Sequence, residues 1–128
     1  FDTDGDNIGW RVTADATQPL RLRHDEPYLL TDLATLPSGD LLTLERRYSM
    51  LGGVGAQMRL IPQAALAADA PLDGDIVFSA GGSGNSIDNM EGLSVRNGKD
   101  GATYVYAVSD NNFSGLQRTL LLMFELTP

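Results

Sequence analysis

Two short stretches concentrate oxygen donors. Asp88-Asn89-Met90-Glu91 stands just before one apolar run, and Asp110-Asn111-Asn112 stands just after another. If the two runs pair as a hairpin, the start of the first strand and the end of the second share one end of the sheet, and these oxygens converge. Carboxylate and amide oxygens suit a hard cation such as Ca²⁺, which takes roughly six to eight of them. Asx residues also close turns through their own backbone, with no ion involved. Glu45-Arg46-Arg47 holds the equivalent place one repeat earlier. The candidate ligand set is therefore Glu45, Asp88, Asn89, Glu91, Asp110 and Asn111. Arg46 and Arg47 have the fork geometry to clamp a phosphate or carboxylate, with Arg118 joining them. The alternative is that Glu45 pairs with an arginine in a buried structural network.

Other chemistry is weaker. Asp2-Thr3-Asp4-Gly5-Asp6-Asn7 alternates Asp like the first half of a calcium loop, but Thr13 stands where the closing Glu belongs. A solvated acidic turn is the expectation. His24, in Arg23-His24-Asp25-Glu26-Pro27, is the sole histidine, and it reads as part of an exposed loop. Gly81-Gly82-Ser83-Gly84-Asn85 ends in Asn where a nucleophile elbow needs Gly. Neither Gly-rich loop carries the Gly-Lys-Ser/Thr of a phosphate loop. Trp10, Tyr104 and Tyr106 read as core or rim.

The elements that position these groups read as strands. Pro19–Arg23 alternates apolar and basic, 30–36 and 41–46 flank the turn Pro37-Ser38-Gly39-Asp40, and 57–61 and 76–78 follow. Residues 92–96 and 103–108 flank Asn97-Gly98-Lys99-Asp100-Gly101, and 119–126 closes the series. Phe1–Trp10 reads as a strand end entering a loop, and 51–55 as a loop. The one helical candidate is Pro62–Ala68, with Pro in the first turn.

Thr31–Leu36 recurs sixty positions later as Glu91–Arg96, and each copy leads through a polar turn to an apolar strand ending in polar residues. Leu120–Phe124 and Tyr104–Val108 do not alternate with polar residues, so both faces of their sheet are expected to be buried. With almost no helix to cover them, stacked antiparallel sheets are the solution. The expected fold is all-β: four-stranded antiparallel blades of a partial β-propeller, about two blades and a leading strand, with a β-sandwich as the alternative. Leu33, Leu42, Leu44, Leu93, Val95, Val105 and Leu122 are the expected core.

The 128 residues form one domain-sized piece with net charge −8 and no Cys. That excludes disulfides and thiolate chemistry, and its field disfavours nucleic acid. The longest apolar run, Leu120–Phe124, is far short of the roughly 20 residues of a membrane span. A closed ring needs about four blades or more. The chain is thus expected to be a portion of a larger domain, with 1–30 trailing a preceding blade, 31–80 one blade and 87–128 the last.

From Thr31 onward the chain resembles the phytase-like family described as having esterase-like activity of phytase. The stretches that carry the resemblance are Thr31-Asp32-Leu33-Ala34, 36–42, Leu44–Ser49, Gly53-Val54-Gly55, Asp88–Leu93, Ser109–Phe113 and Gln117–Leu121. The resemblance implies a calcium-associated β-propeller, exported to the periplasm or beyond, with this chain as its C-terminal part. The function expected is hydrolysis of phosphate or related esters. Arg46, Arg47 and Arg118 would hold a small anionic ester or carboxylate, and Glu91 and Asp110 would orient the attacking water. The alternative is a non-catalytic, calcium-stabilised module that binds a ligand or protein. The rest of the propeller is the expected protein partner.

Overall fold

In the computed structural model, which describes residues 1–82 and 87–127, nine strands form three antiparallel sheets. Strands β1 (Asn7–Val12) and β2 (Thr17–Leu22) make a two-stranded hairpin. Strands β3 (Leu29–Thr35), β4 (Leu41–Ser49), β5 (Gly53–Ile61) and β6 (Asp75–Gly81) follow one another in a four-stranded sheet. Strands β7 (Met90–Asn97), β8 (Thr103–Ser109) and β9 (Leu121–Leu126) make a three-stranded one. The only helical turn among the described residues is a 3-10 helix at Gln63–Ala67, started by Pro62. All-β architecture and sequential antiparallel pairing are as expected. The layering is consistent with part of a propeller and with a sandwich. Among the described residues only the middle sheet reaches four strands.

Strand alternation assigns the faces of the middle sheet. Leu42 and Leu44 of β4 and Ala56 and Met58 of β5 meet Met90, Val105 and Ala107 in the main core. The opposite face puts Ile61 against Leu22 and Leu72 in a smaller core beneath the β1–β2 hairpin. Residue 72 clips onto β2 through Leu72 N–H to Arg21 O at 2.7 Å and Arg23 N–H to Leu72 O at 2.9 Å. Of the expected core, Leu42, Leu44 and Val105 are buried, while Leu93, Val95 and Leu122 pack partly buried against it.

Leu33 is a correction: it is 48% exposed. Its register partner is Thr43, on the hairpin side, and the two-stranded hairpin is too narrow to cover that face. An apolar cleft of about 390 Å³ lies there, lined by Leu33, Leu30, Leu41 and Leu20 among others. The expectation that both faces of the last sheet are covered is corrected too. Val108, Leu121 and Met123 are exposed, because no described part of this chain lies over that side.

The repeat is visible in the backbone. β3 is bulged between Leu30 and Asp32, and β7 between Met90 and Gly92. The extra residues, Thr31 and Glu91, stand sixty positions apart. Leu30 pairs with Glu45, and Met90 with Ser109. The turns match as well. Leu36 N–H bonds to Asp40 O and Gly98 N–H to Ala102 O, both at 2.8 Å, with Gly39 and Gly101 at φ near +89 and +84. Only glycine takes that conformation without strain. The two sheets are joined by Asp32, whose Oδ2 accepts the Leu93 N–H at 2.7 Å.

Of the expected loop 51–55, residues 51 and 52 form a turn and 53–55 are corrected to strand, since β5 begins at Gly53. Arg47, Gly55 and Gly81 lie opposite one another across three strands. A Cβ on Gly55 would sit 2.8 Å from Arg47 Nε, and one on Gly81 would sit 3.2 Å from Arg47 Nη2. The glycines let the guanidinium lie flat on the sheet. The Gly/Ser stretch at 83–86, and with it most of Gly81–Asn85, falls outside the described residues.

Candidate functional site

Because Met90 pairs with Ser109, the residues before β7 and after β8 share one end of the last sheet. Asp110 N–H donates to Asn89 O at 3.3 Å, and the Asn89 amide Nδ2 donates to Glu91 Oε1. Glu91 sits on the β7 bulge, a device that re-aims a side chain out of the pleat. Asp88 is 6% exposed. Its Oδ1 accepts the Asn89 N–H and its Oδ2 the Arg118 N–H, each at 2.9 Å, and the Arg118 Nε stands 3.6 Å from the same Oδ2. Ser109 ties the return strand down, its Oγ donating to Arg118 O at 2.8 Å. Asp110 Oδ1 and Asn111 Oδ1 accept the N–H groups of Asn112 and Phe113. Asp88, Asn89, Glu91, Asp110, Asn111 and Arg118 are thus gathered at one end.

Beside them opens a cleft of about 440 Å³ between the middle and last sheets. Tyr48 and Val54 line it from β4 and β5, and Asp88, Ser114, Leu116, Gln117 and Arg118 from the other side.

Glu45 does not join this group. It is 2% exposed and points to the opposite face of the middle sheet. There the Arg59 Nη2 and Nε stand 2.6 and 2.8 Å from its Oε1. Thr43 Oγ1 donates to the same oxygen at 2.9 Å, and Gln57 Nε2 to Oε2 at 2.8 Å. Arg59 also reaches Asp73 at 3.0 Å and Arg23 O at 2.8 Å, and Gln57 reaches Asp25 at 2.7 Å. This is the structural ion network weighed as the alternative, built on Arg59 rather than on Arg46 or Arg47.

The two neighbouring arginines separate, because consecutive strand residues face opposite ways. Arg47 lies on the Glu45 face, where its Nε donates to Tyr28 Oη at 3.2 Å and its guanidinium covers the Tyr28 ring at 5.7 Å. Arg46 shares the face of Leu42 and Leu44, and its buried Nε has no hydrogen-bond partner among the described residues. They do not form one clamp. The N-terminal acidic turn is closed on itself, with Asp2 Oδ1 accepting the N–H groups of Asp4 and Asp6 at 2.9 Å each. His24 Nε2 lies 2.7 Å from Tyr28 O.

Among the described residues, no three His, Cys, Asp or Glu side chains stand close enough to hold a metal ion. The donor chemistry agrees: Glu45 is taken by Arg59, and both Asp88 oxygens are taken by N–H groups. Asp110 and Asn111 each commit one oxygen to the following turn. The proposed ligands do not fit a calcium cage.

Sequence reasoning missed Arg59, Asp25, Asp73 and Asp32. A charge inside the apolar run Gln57–Ile61 was the available signal for Arg59. Nothing local marks Asp32, whose partner lies in another sheet.

Stacked antiparallel sheets with a polar end and a cleft beside it define the class. The chain matches the model of the phytase-like family, described as esterase-like activity of phytase, over residues 2–113, and it belongs to that family. Comparisons with curated proteins and with solved structures find no match. The family match begins well before Thr31, so it takes in the β1–β2 hairpin. It ends before the 117–121 stretch that also carried the resemblance, so Arg118 lies beyond it.

Proposed function

We propose that this chain is part of an ester hydrolase acting on phosphate or related esters. The observation that carries the reading is the family match over 2–113, which spans Asp88, Asn89, Glu91 and Asp110. Arg118, on the wall of the cleft, is the group that holds the anionic part of the ester. Arg46 stands one step below Tyr48 on the face turned toward the last sheet and adds a second guanidinium. Glu91, lifted by its bulge, and the exposed Asp110 orient the attacking water. Asp88 is a positioning residue that fixes Arg118. Arg47 has no part, since Tyr28 holds it on the far face.

Calcium stays with the resemblance that pointed to it, and no step here runs through it. The same reading places 31–80 and 87–128 as successive blades of a larger exported propeller, with 1–30 as outer strands of the blade before. The exposed apolar rows on both outer faces of the stack support further layers. No helix among the described residues is long and apolar enough to cross a membrane.

The test is turnover of aryl phosphates and aryl carboxylates by the full-length protein, with and without chelator. Release of the aryl alcohol from either class supports the reading. No release from both, under both conditions, overturns it and leaves a binding module.

A further inference from the structure

The walls of the cleft carry exposed apolar groups beside its polar ones. Tyr48, at the end of β4, is 74% exposed and Leu116, in the loop after β8, is 96% exposed, and both line the cleft together with Val54. Tyr48 belongs to the middle sheet and Leu116 follows a strand of the last one, so the two flank the cleft from different sheets. Asn112 and Phe113 both hold positive φ, 48° and 57°, a conformation that costs a bulky side chain energy and persists only where the surroundings impose it. The Asp110 and Asn111 side chains impose it by capping the N–H groups of residues 112 and 113. The loop that carries Leu116 is thereby held at its start.

Electrostatics narrows the ligand. Arg118 in the cleft is half-exposed and faces Asp88 at 3.6 Å, so part of its charge is answered within the protein and part is left for a ligand, and the chain carries net charge −8. A polyanion meets repulsion here. A ligand with one anionic or ester group and an apolar arm matches both the polar and the apolar groups of the cleft.

Resting on the hydrolase reading above, we propose that the ester taken by this cleft carries an apolar acyl or alkyl arm, gripped between Tyr48 of β4 and Leu116 of the loop after β8. Each methylene buried against these side chains should tighten binding about threefold to fourfold.

The experiment measures calorimetric Kd values of methyl-, butyl- and hexylphosphonate for the full-length protein and for Leu116→Ser and Tyr48→Ser. Hydrolysis of p-nitrophenyl acetate, butyrate and hexanoate is followed in parallel. The proposal expects affinity to rise with chain length by about tenfold or more from methyl to butyl, and the gradient to flatten in Leu116→Ser with the melting temperature unchanged. Affinity independent of chain length overturns it, even if phosphate esters are hydrolysed and the hydrolase reading stands. A chain-length gradient without any turnover supports this site while the hydrolase reading fails. Concentration-dependent dimerisation that Leu116→Ser abolishes, with no gradient, overturns it in favour of a contact between copies.

Discussion

Arg59 and Glu45 show how one residue's partner decides its role. Two charges that are almost wholly buried, 2.6 Å apart, are tolerable only because Thr43, Gln57, Asp73 and the Arg23 carbonyl satisfy the remaining valences. Arg59→Met leaves the Glu45 carboxylate buried without its partner and should destabilise the protein by about 3–5 kcal/mol. Replacing both Glu45 and Arg59 by Met should cost clearly less than the sum of the single changes. A double-mutant cycle by denaturant unfolding measures this, and strict additivity would refute the coupling. The sequence made Glu45 legible as a charged residue ending an apolar run, but not its direction. Facing is set by strand alternation and by which sheet covers which side. The same rule separates Arg46 from Arg47.

At the scale of elements, turns and bulges are where the sequence spoke most clearly. Pro37-Ser38-Gly39-Asp40 and Asn97–Gly101 announce their hairpins, and the sixty-residue offset survives as paired bulges at Thr31 and Glu91. The Gly-rich start of β5 misled, because glycines in a strand look like a loop until the arginine lying on them is seen. Gly55→Ala should cost about 1–3 kcal/mol by crowding Arg47, and most of that cost should vanish in an Arg47→Ala background, as thermal melts of the two variants would show. The β3–β4 turn also carries a pH signature. The Gln63 backbone N–H and then the Ser38 hydroxyl hold the Asp40 carboxyl below its ordinary value of 3.8. The unfolded chain therefore binds that proton more tightly. The contribution is full above the unfolded value and fades as pH falls through the folded one. Asp40→Asn should flatten the acidic limb of the melting temperature as pH falls through and below 3.8. An unchanged limb would remove Asp40 from the account.

Across the whole molecule, the apolar patterning of the strands announced stacked sheets correctly, while the exposure of the stack's outer faces depends on what lies beyond them. Ile8, Trp10 and Val12 on one side and Leu121 and Met123 on the other are exposed rows. This chain by itself should associate at micromolar concentration, and Leu121→Lys with Met123→Lys should reduce that association, as sedimentation velocity would reveal. A monomer insensitive to the pair would argue that these faces need no cover. The polar end of the last sheet was legible as a cluster because its residues bracket one hairpin, and the choice between turn cap and cation ligand was not, because both use the same residue types. The central claim is that Glu91 and Asp110 serve ester hydrolysis rather than the fold. The direct measurement is the rate of aryl phosphate and aryl carboxylate hydrolysis by the full-length protein against Glu91→Gln and Asp110→Asn. The account predicts a loss of about a hundredfold or more in each variant with the melting temperature unmoved, and rates equal to the parent in both would contradict it.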